Sequence, residues 1–255
     1  LGRESKESYV AKLTAVSVFS GMGGLDLGLE KAGIVAKAFV EQDRACQETI
    51  LANWQGATVF TDVRTTPTEA LREAARGGID VLAGGPPCQA FSTIGRRGGL
   101  ADPRGRLVGD YLRILTELRP AFFVMENVRG LLSATTATGE RVVDRLLAEF
   151  AALGYAADCW LLDAADYGVP QRRIRVFLVG SRVGRLVRPR PLKGPPVSLR
   201  EAVGDLQDSP GEGAVFVPWV ARLLDLVPEG GNWKDLPPVE QVAAVGGANL
   251  RSGGL

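Results

Sequence analysis

The chain contains no histidine. That excludes Ser-His-Asp and Cys-His hydrolases, and most zinc hydrolases with them, because their metal rests on imidazole. Cysteine is scarce: Cys46, Cys88 and Cys159 lie far apart. An odd, sparse set fits neither a disulfide scaffold nor a zinc ribbon, so no metal is expected. Any cysteine chemistry must run without an imidazole base. No apolar run approaches the ~18 residues of a membrane span. The opening stretch, LGRESKESYVAKL, lacks the apolar centre of a signal peptide. A cytoplasmic protein without a membrane partner is expected. Net charge is only +1, although 24 of the 30 cationic residues are arginine. A basic surface must therefore be local. No internal repeat is present.

The 255 residues are 45% hydrophobic, enough for a sizeable core. Residues 14–181 alternate between two periodicities. Strands are expected at 14–20, 35–43, 57–63, 79–85, 121–127, 158–168 and 173–181. Helices are expected at 25–33, 44–54, 66–78, 111–120 and 141–154. Gly33 and Gly154 are placed as stop signals, Thr66 as an N-cap before Pro67, and Gly77 after that helix. Ile50, Leu51 and Trp54 are expected on one helix face. Strand–helix alternation implies an α/β fold with a mostly parallel sheet covered on both faces. Ligands in such sheets sit at the carboxyl ends of the strands. After residue 181 the pattern degrades. Residues 182–196 carry five cations and no acid, and read as a linker. The remainder is rich in glycine and proline, with one amphipathic piece at 218–227. Three regions follow: an extension (1–13), a main domain (14–185), and a linker with the start of a small second domain (186–255).

Four features at strand ends carry chemistry. FSGMGGLDLG (19–28) turns tightly after the first strand and lets a ligand approach the backbone. Asp26 stands where a phosphate-binding fingerprint needs glycine, so a nucleoside without pyrophosphate suits the turn better. Glu41, ending the second strand, can accept from two ribose hydroxyls. Asp62, ending the third, can accept from an adenine amino group. GGPPCQAFS (84–92) holds Cys88 between residues of fixed φ, aiming a thiol at the ligand edge. A buried structural cysteine is the alternative. The polar segment 92–106 follows, with Arg96, Arg97, Arg104 and Arg106 against one aspartate. It reads as a basic lid over a polyanion. Glu126 follows five apolar residues, AFFVM. A carboxyl group in apolar surroundings keeps its proton more readily and can donate it. Arg173 and Arg175 alternate along the last strand, facing one side.

FSGMGG, GGPPCQAFS, MENV and PQRRIRVFLVG, in this order, closely resemble the signature motifs of the DNA (cytosine-5) methyltransferases. The resemblance spans residues 14–181 and weakens onward through VPEGGNWKDLP. It implies a Rossmann-like methyltransferase fold, S-adenosyl-L-methionine as methyl donor, and double-stranded DNA as substrate. It implies a cofactor site at Phe19, Ser20, Gly21, Gly23, Gly24, Leu25, Glu41, Asp62, Val63 and Gly85. It makes Cys88 the nucleophile, with Pro87 packed against a flipped cytosine. By the same resemblance Glu126 would protonate ring nitrogen 3, Arg173 would orient the base, and Gln171 and Arg175 would support the site. Ser92, Arg96, Arg97 and Arg104 are expected to contact DNA. In this family a recognition domain follows, then motifs that return beside the cofactor. No such segment is found before Leu255, so a fragment or a split enzyme with a second chain is expected. The alternatives are the family's tRNA branch, disfavoured because no cysteine follows Cys159, and a non-catalytic accessory subunit that binds DNA or a partner.

Overall fold

Short runs of branched and aromatic side chains suit a pleated surface better than a helix. A computed structural model describes residues 13–76, 78–87, 106–136, 138–206, 216–228, 230–242 and 244. Among them, seven strands form one sheet: β1 (Leu13–Val18), β2 (Ile34–Val40), β3 (Thr58–Phe60), β4 (Val81–Gly84), β5 (Phe122–Val128), β6 (Ala156–Asp163) and β7 (Ile174–Ser181). Their order is β3-β2-β1-β4-β5-β7-β6. Only β7 runs against its neighbours, β5 and β6, and the other pairings are parallel. The mostly parallel α/β sheet expected from the sequence is present.

The helices are α1 (Gly24–Lys31), α2 (Arg44–Asn53), α3 (Thr68–Ala75), α4 (Arg106–Leu118), α5 (Val142–Ala152), α6 (Leu199–Val203) and α7 (Pro218–Asp225). Successive strand residues feed opposite faces. Val16, Val18 and Leu82 join a cluster with α3, α4 and α5. Ala15, Val81 and Ala83 join Leu29 of α1 and Ile50 of α2 in another. Lys37 is tolerated inside β2 because the register skips it. Ala15 pairs with Ala36 and Val16 with Ala38, and this bulge turns the lysine out to solvent.

Several boundaries differ from expectation. Thr66 does not cap α3. Its hydroxyl donates to the Asp62 carbonyl at 2.6 Å, and Pro67 takes the cap position. Leu51 is 52% exposed, whereas Ile50 and Trp54 are buried. β6 stops at Asp163, whose carboxylate accepts from the Ala165 amide and opens a 3-10 turn over Ala164–Tyr167. Gly33 and Gly154 do close their helices, at φ 82° and 86°. Gly77 lies outside the described residues.

By its internal contacts the chain divides into residues 1–202 and 203–255. In the second unit, Pro218 opens α7, and Asn232 with Asp235 forms a reciprocal cap over a single 3-10 turn. Trp219 and Trp233 are each nearly half exposed.

The strand order reverses at β1. From there the chain first builds outward to β2 and β3, then returns to place β4 on the other side. This reversal opens a crevice between the carboxyl ends of β1 and β4. Gly84 makes the pairing possible: a Cβ there would lie 2.5 Å from the Val18 carbonyl oxygen and 3.3 Å from the Tyr111 ring. The first clash is with backbone and cannot be relieved by a side-chain rotation. Gly84→Ala is expected to destabilise the fold by about 1–3 kcal/mol, read as a lowered urea midpoint. An unchanged midpoint would show that β1 and β4 can separate freely.

Candidate cofactor and active site

The glycine turn after β1 builds the floor of the crevice. The Gly23 amide closes a turn on the Ser20 carbonyl at 3.0 Å. Gly21 and Gly23 have φ of 54° and 82°, where a side chain is strained. Phe19 adopts φ 55° despite carrying one, a conformation costing about 1–3 kcal/mol. Its amide is held by the Val40 carbonyl at 2.9 Å. Phe19 and Gly85 are common to two adjoining cavities.

The smaller cavity, about 320 Å³, is lined by Phe19, Gly21, Glu41, Asp62, Val63, Gly85 and Pro87 among others. Glu41 Oε2 accepts from the Gly21 amide at 2.7 Å, and Oε1 from Asp43 at 2.8 Å. Each carboxylate oxygen has a further lone pair for a ligand hydroxyl. Asp62 is engaged by Arg64, Nη2 to Oδ2 at 2.7 Å. This guanidinium holds its carboxyl below the ordinary range. Gly23 lines neither cavity. A Cβ on it would lie 2.5 Å from the Trp54 ring, so the turn packs closely there.

The larger cavity, about 580 Å³, gathers Phe19, Ser20, Gly24, Leu25, Asp26, Gly85, Glu126, Arg173 and Arg175. Arg175 and Phe177 lie two apart on β7 and face it together. Arg173 precedes the strand, its amide fixed by Asp163 Oδ1 at 2.9 Å. Glu126 is not in apolar isolation, as the AFFVM run suggested. It sits within β5, and its Oε1 meets Arg175 Nε at 3.0 Å. Antiparallel pairing of β5 with β7 sets Val128 opposite Arg175, which brings the guanidinium to the acid. Gly85 leaves room beside the other oxygen: a Cβ there would lie 3.4 Å from Oε2. Gln171 is exposed and lines neither cavity. Pro87 lies on the smaller cavity rather than with Glu126.

Asn127 ties these pieces together. It is 3% exposed, and its Nδ2 donates to the Pro86 carbonyl at 2.8 Å. Its Oδ1 accepts from the Val128 amide at 2.9 Å. The strand that carries Glu126 thus pins the proline turn leading to Cys88. Cys88, Ser92, Arg96, Arg97 and Arg104 lie outside the described residues.

In the sequence Asp26 stood out only as a missing glycine. It is 0% exposed, and neither carboxylate oxygen has a hydrogen-bond partner. Burial pushes its pKa up to about 6, with the nearby Ser17 hydroxyl and its own amide offsetting part of the effect. One signal was available. Asp26 falls three residues before Leu29, the other buried position of α1, so an acid occupies the apolar face.

Comparison with known proteins places this geometry. The family model for C-5 cytosine-specific DNA methylases matches residues 13–213. The chain belongs to that family. It is 40% identical to the type II methyltransferase M.AquIA of Picosynechococcus sp. over 73% of this chain and 79% of the relative. It is 39% identical to M.FnuDI of Fusobacterium nucleatum over 76% of this chain and 56% of that one. The chain therefore spans little more than half of some relatives. A crystal structure of a putative DNA modification methyltransferase encoded within an Escherichia coli prophage matches 92% of this chain and 69% of its own, with a TM-score of 0.64 and 26% identity.

C-5 cytosine methylases take their methyl group from S-adenosyl-L-methionine, and the residues present fit it. Glu41 offers acceptors for a ribose. Gly21 keeps an open approach, with nothing within 4 Å of a Cβ there. Phe19 and Gly85 line both cavities, so the cavity of the ribose acceptor and the larger cavity have these two residues in common.

Two outcomes follow from the buried polar groups. Asn127→Ala is expected to cost about 1–3 kcal/mol, because it strips the Pro86 carbonyl of its donor. Chemical denaturation measures it. For Asp26, the unfolded chain releases the proton near 3.8 and the folded chain at about 6. The folded state binds more protons between these values, so stability falls as pH rises through that window. The loss amounts to roughly 3 kcal/mol. Without ligand, Asp26→Asn is expected to match the wild type near pH 4 and exceed it in stability at pH 7. Equal stability at both pH values would contradict this assignment.

Proposed function

We propose that this chain transfers a methyl group to carbon 5 of cytosine in DNA, through a covalent Cys88 adduct on a base flipped from the duplex. The observation that carries the reading is the convergence of Glu126, Arg173 and Arg175 on one cavity, with the turn before Cys88 pinned to the same strand by Asn127.

Carbon 5 of cytosine is a poor nucleophile. Cys88 thiolate adds to carbon 6, forming a carbon–sulfur bond. Glu126 holds a proton at ring nitrogen 3, so the ring becomes an enamine with electron density at carbon 5. Its Oε1 is taken by Arg175, which leaves Oε2 for the base edge. Arg173 orients the base. When bound, the cofactor supplies an electrophilic methyl group on a sulfonium. After carbon 5 has been methylated, its proton departs to a base and the electron pair expels the thiolate. The nucleophile must also be a leaving group, which a thiolate can be. No imidazole is required.

Flipping the base costs a few kcal/mol, and contacts to the phosphate backbone can offset it. The basic stretch of sequence with Ser92, Arg96, Arg97 and Arg104 suits that role. So does the strap after β7. The Tyr167 hydroxyl donates to the Pro189 carbonyl at 3.1 Å, and the Leu192 amide to Asp166 at 2.9 Å. These bonds carry Arg188, Arg190 and Lys193 past Tyr167, which lines the larger cavity. Target choice then falls to a recognition region beyond the main domain, in a longer chain or on a second one. A restriction-modification role at nucleoid DNA in the cytoplasm agrees with the type II relatives. Among the described residues, no helix is long and apolar enough to cross a membrane.

Duplex DNA carrying 5-fluorocytosine, which cannot release a proton from carbon 5, tests the mechanism with labelled cofactor. A stable covalent complex is expected for the wild type and none for Cys88→Ser. Glu126→Gln is expected to slow methyl transfer about 10²–10⁴-fold. Absence of any adduct with the recognition region supplied would refute the covalent route. Transfer to tRNA but not to duplex DNA would refute the choice of substrate.

A further inference from the structure

Asp26 is the one acid in the larger cavity without a partner. Glu126 has Arg175. No carboxylate among the described residues pairs with the Arg173 guanidinium, yet that cation does not reach Asp26 either. The other orphaned buried side-chain atom among the described residues is Trp54 Nε1, which lines neither cavity. Buried polar groups are almost always satisfied, and a carboxylate left bare costs far more than an amide. A serine or an apolar residue at this position would avoid that cost. Its place on the wall of a ligand-sized cavity, with no cation near it, suits a donor that arrives with a ligand.

We propose that Asp26 is a positioning residue that receives the α-ammonium group of the cofactor's amino-acid end. The inference rests on the reading of the site as an S-adenosyl-L-methionine site. Its three supports are separate. The ribose acceptor, Glu41, lies in the smaller cavity, so a ligand anchored there extends its tail past Phe19 and Gly85 into the larger one. Asp26 lines that second cavity and is sealed from water, where a charge pair gains strength. And α1 opens at Gly23 with no side-chain cap, while Gly24 and Leu25 line the same wall. Its first-turn amides, at a helix end with no side-chain cap, suit the carboxylate of the same zwitterion. One short turn, Ser20–Asp26, thereby meets both charges of an amino acid. The neighbouring Ser20 and Ser17 hydroxyls, 2.9 Å apart, add neutral hydrogen-bonding groups and no competing charge.

The test is a calorimetric titration of the full chain with two ligands. S-adenosylhomocysteine keeps the amino-acid end. 5′-Methylthioadenosine shares the adenosine and the thioether but lacks that end. Asp26→Asn is expected to weaken the first by about 10–100-fold and to leave the second within about twofold. A third ligand is S-adenosylhomocysteine with its amino group replaced by hydrogen. The wild type is expected to bind it about 10–100-fold more weakly than the parent, and Asp26→Asn to bind the two equally; Asp26→Ser serves as the second variant if Asp26→Asn fails to fold. Equal loss of both ligands in Asp26→Asn would mark Asp26 as merely structural and overturn the proposal. So would wild-type indifference to the amino group. If the wild type binds neither thioether ligand, the cofactor reading itself falls, and this inference with it.

Discussion

The pairing of β1 with β4 is the constraint on which the site depends. Those two strands are adjacent in space but separated by two excursions of chain, and their carboxyl ends present the glycine turn and the proline turn side by side. The pairing needs Gly84, since the backbone of β1 comes within contact distance of any Cβ there. One glycine thus underwrites a crevice whose walls come from residues 19–26 and 85–87. The strain at Phe19 belongs to the same bargain. Its left-handed backbone is tolerated because the Val40 carbonyl fixes its amide, and the residue lines both cavities.

A second set of connections makes the site one object rather than a collection of loops. Asn127 joins β5 to the Pro86 carbonyl, and Arg175 joins β7 to Glu126. The first runs from β5 to the segment that follows its neighbour β4, and the second crosses between the paired strands β5 and β7. The acid, the guanidinium and the approach to Cys88 are thereby held by rigid elements rather than by mobile segments. Reaction geometry is then a property of sheet register, and register is hard to slip when both faces are buried.

Much of this was legible in the sequence, and the reasons differ by residue. The strands were plain because buried parallel strands are nearly continuous apolar runs. The carboxyl-end rule then placed Phe19, Glu41, Asp62 and Gly85 correctly around one crevice. Glu126 was found, but its environment was misjudged. The AFFVM run reports burial along one strand, whereas Arg175 arrives from a strand distant in sequence and antiparallel. Gln171 was expected to support the site because of the family resemblance, yet it precedes β7 and is exposed. Leu51 failed for a simpler reason: it adjoins Ile50, and adjacent helix positions point about 100° apart. Asp26 was noted only as a missing glycine. Its spacing to Leu29 carried the stronger message, that a carboxylate faces inward.

The larger cavity holds two acids whose circumstances are opposite. Glu126 has a guanidinium at 3.0 Å and partial exposure, so its charge is balanced before any substrate arrives. Asp26 has neither water nor cation. A folded protein that spends stability on a bare carboxylate in one place, while pairing another a short distance along the same wall, has divided its site into two electrostatic tasks. The paired acid can serve a neutral base, since its own charge needs no help from the ligand. The unpaired acid discriminates in favour of a cation, since only a positive group recovers the burial cost. A methyl donor that is cationic and carries an ammonium, acting on a neutral heterocycle, meets both requirements within one cavity.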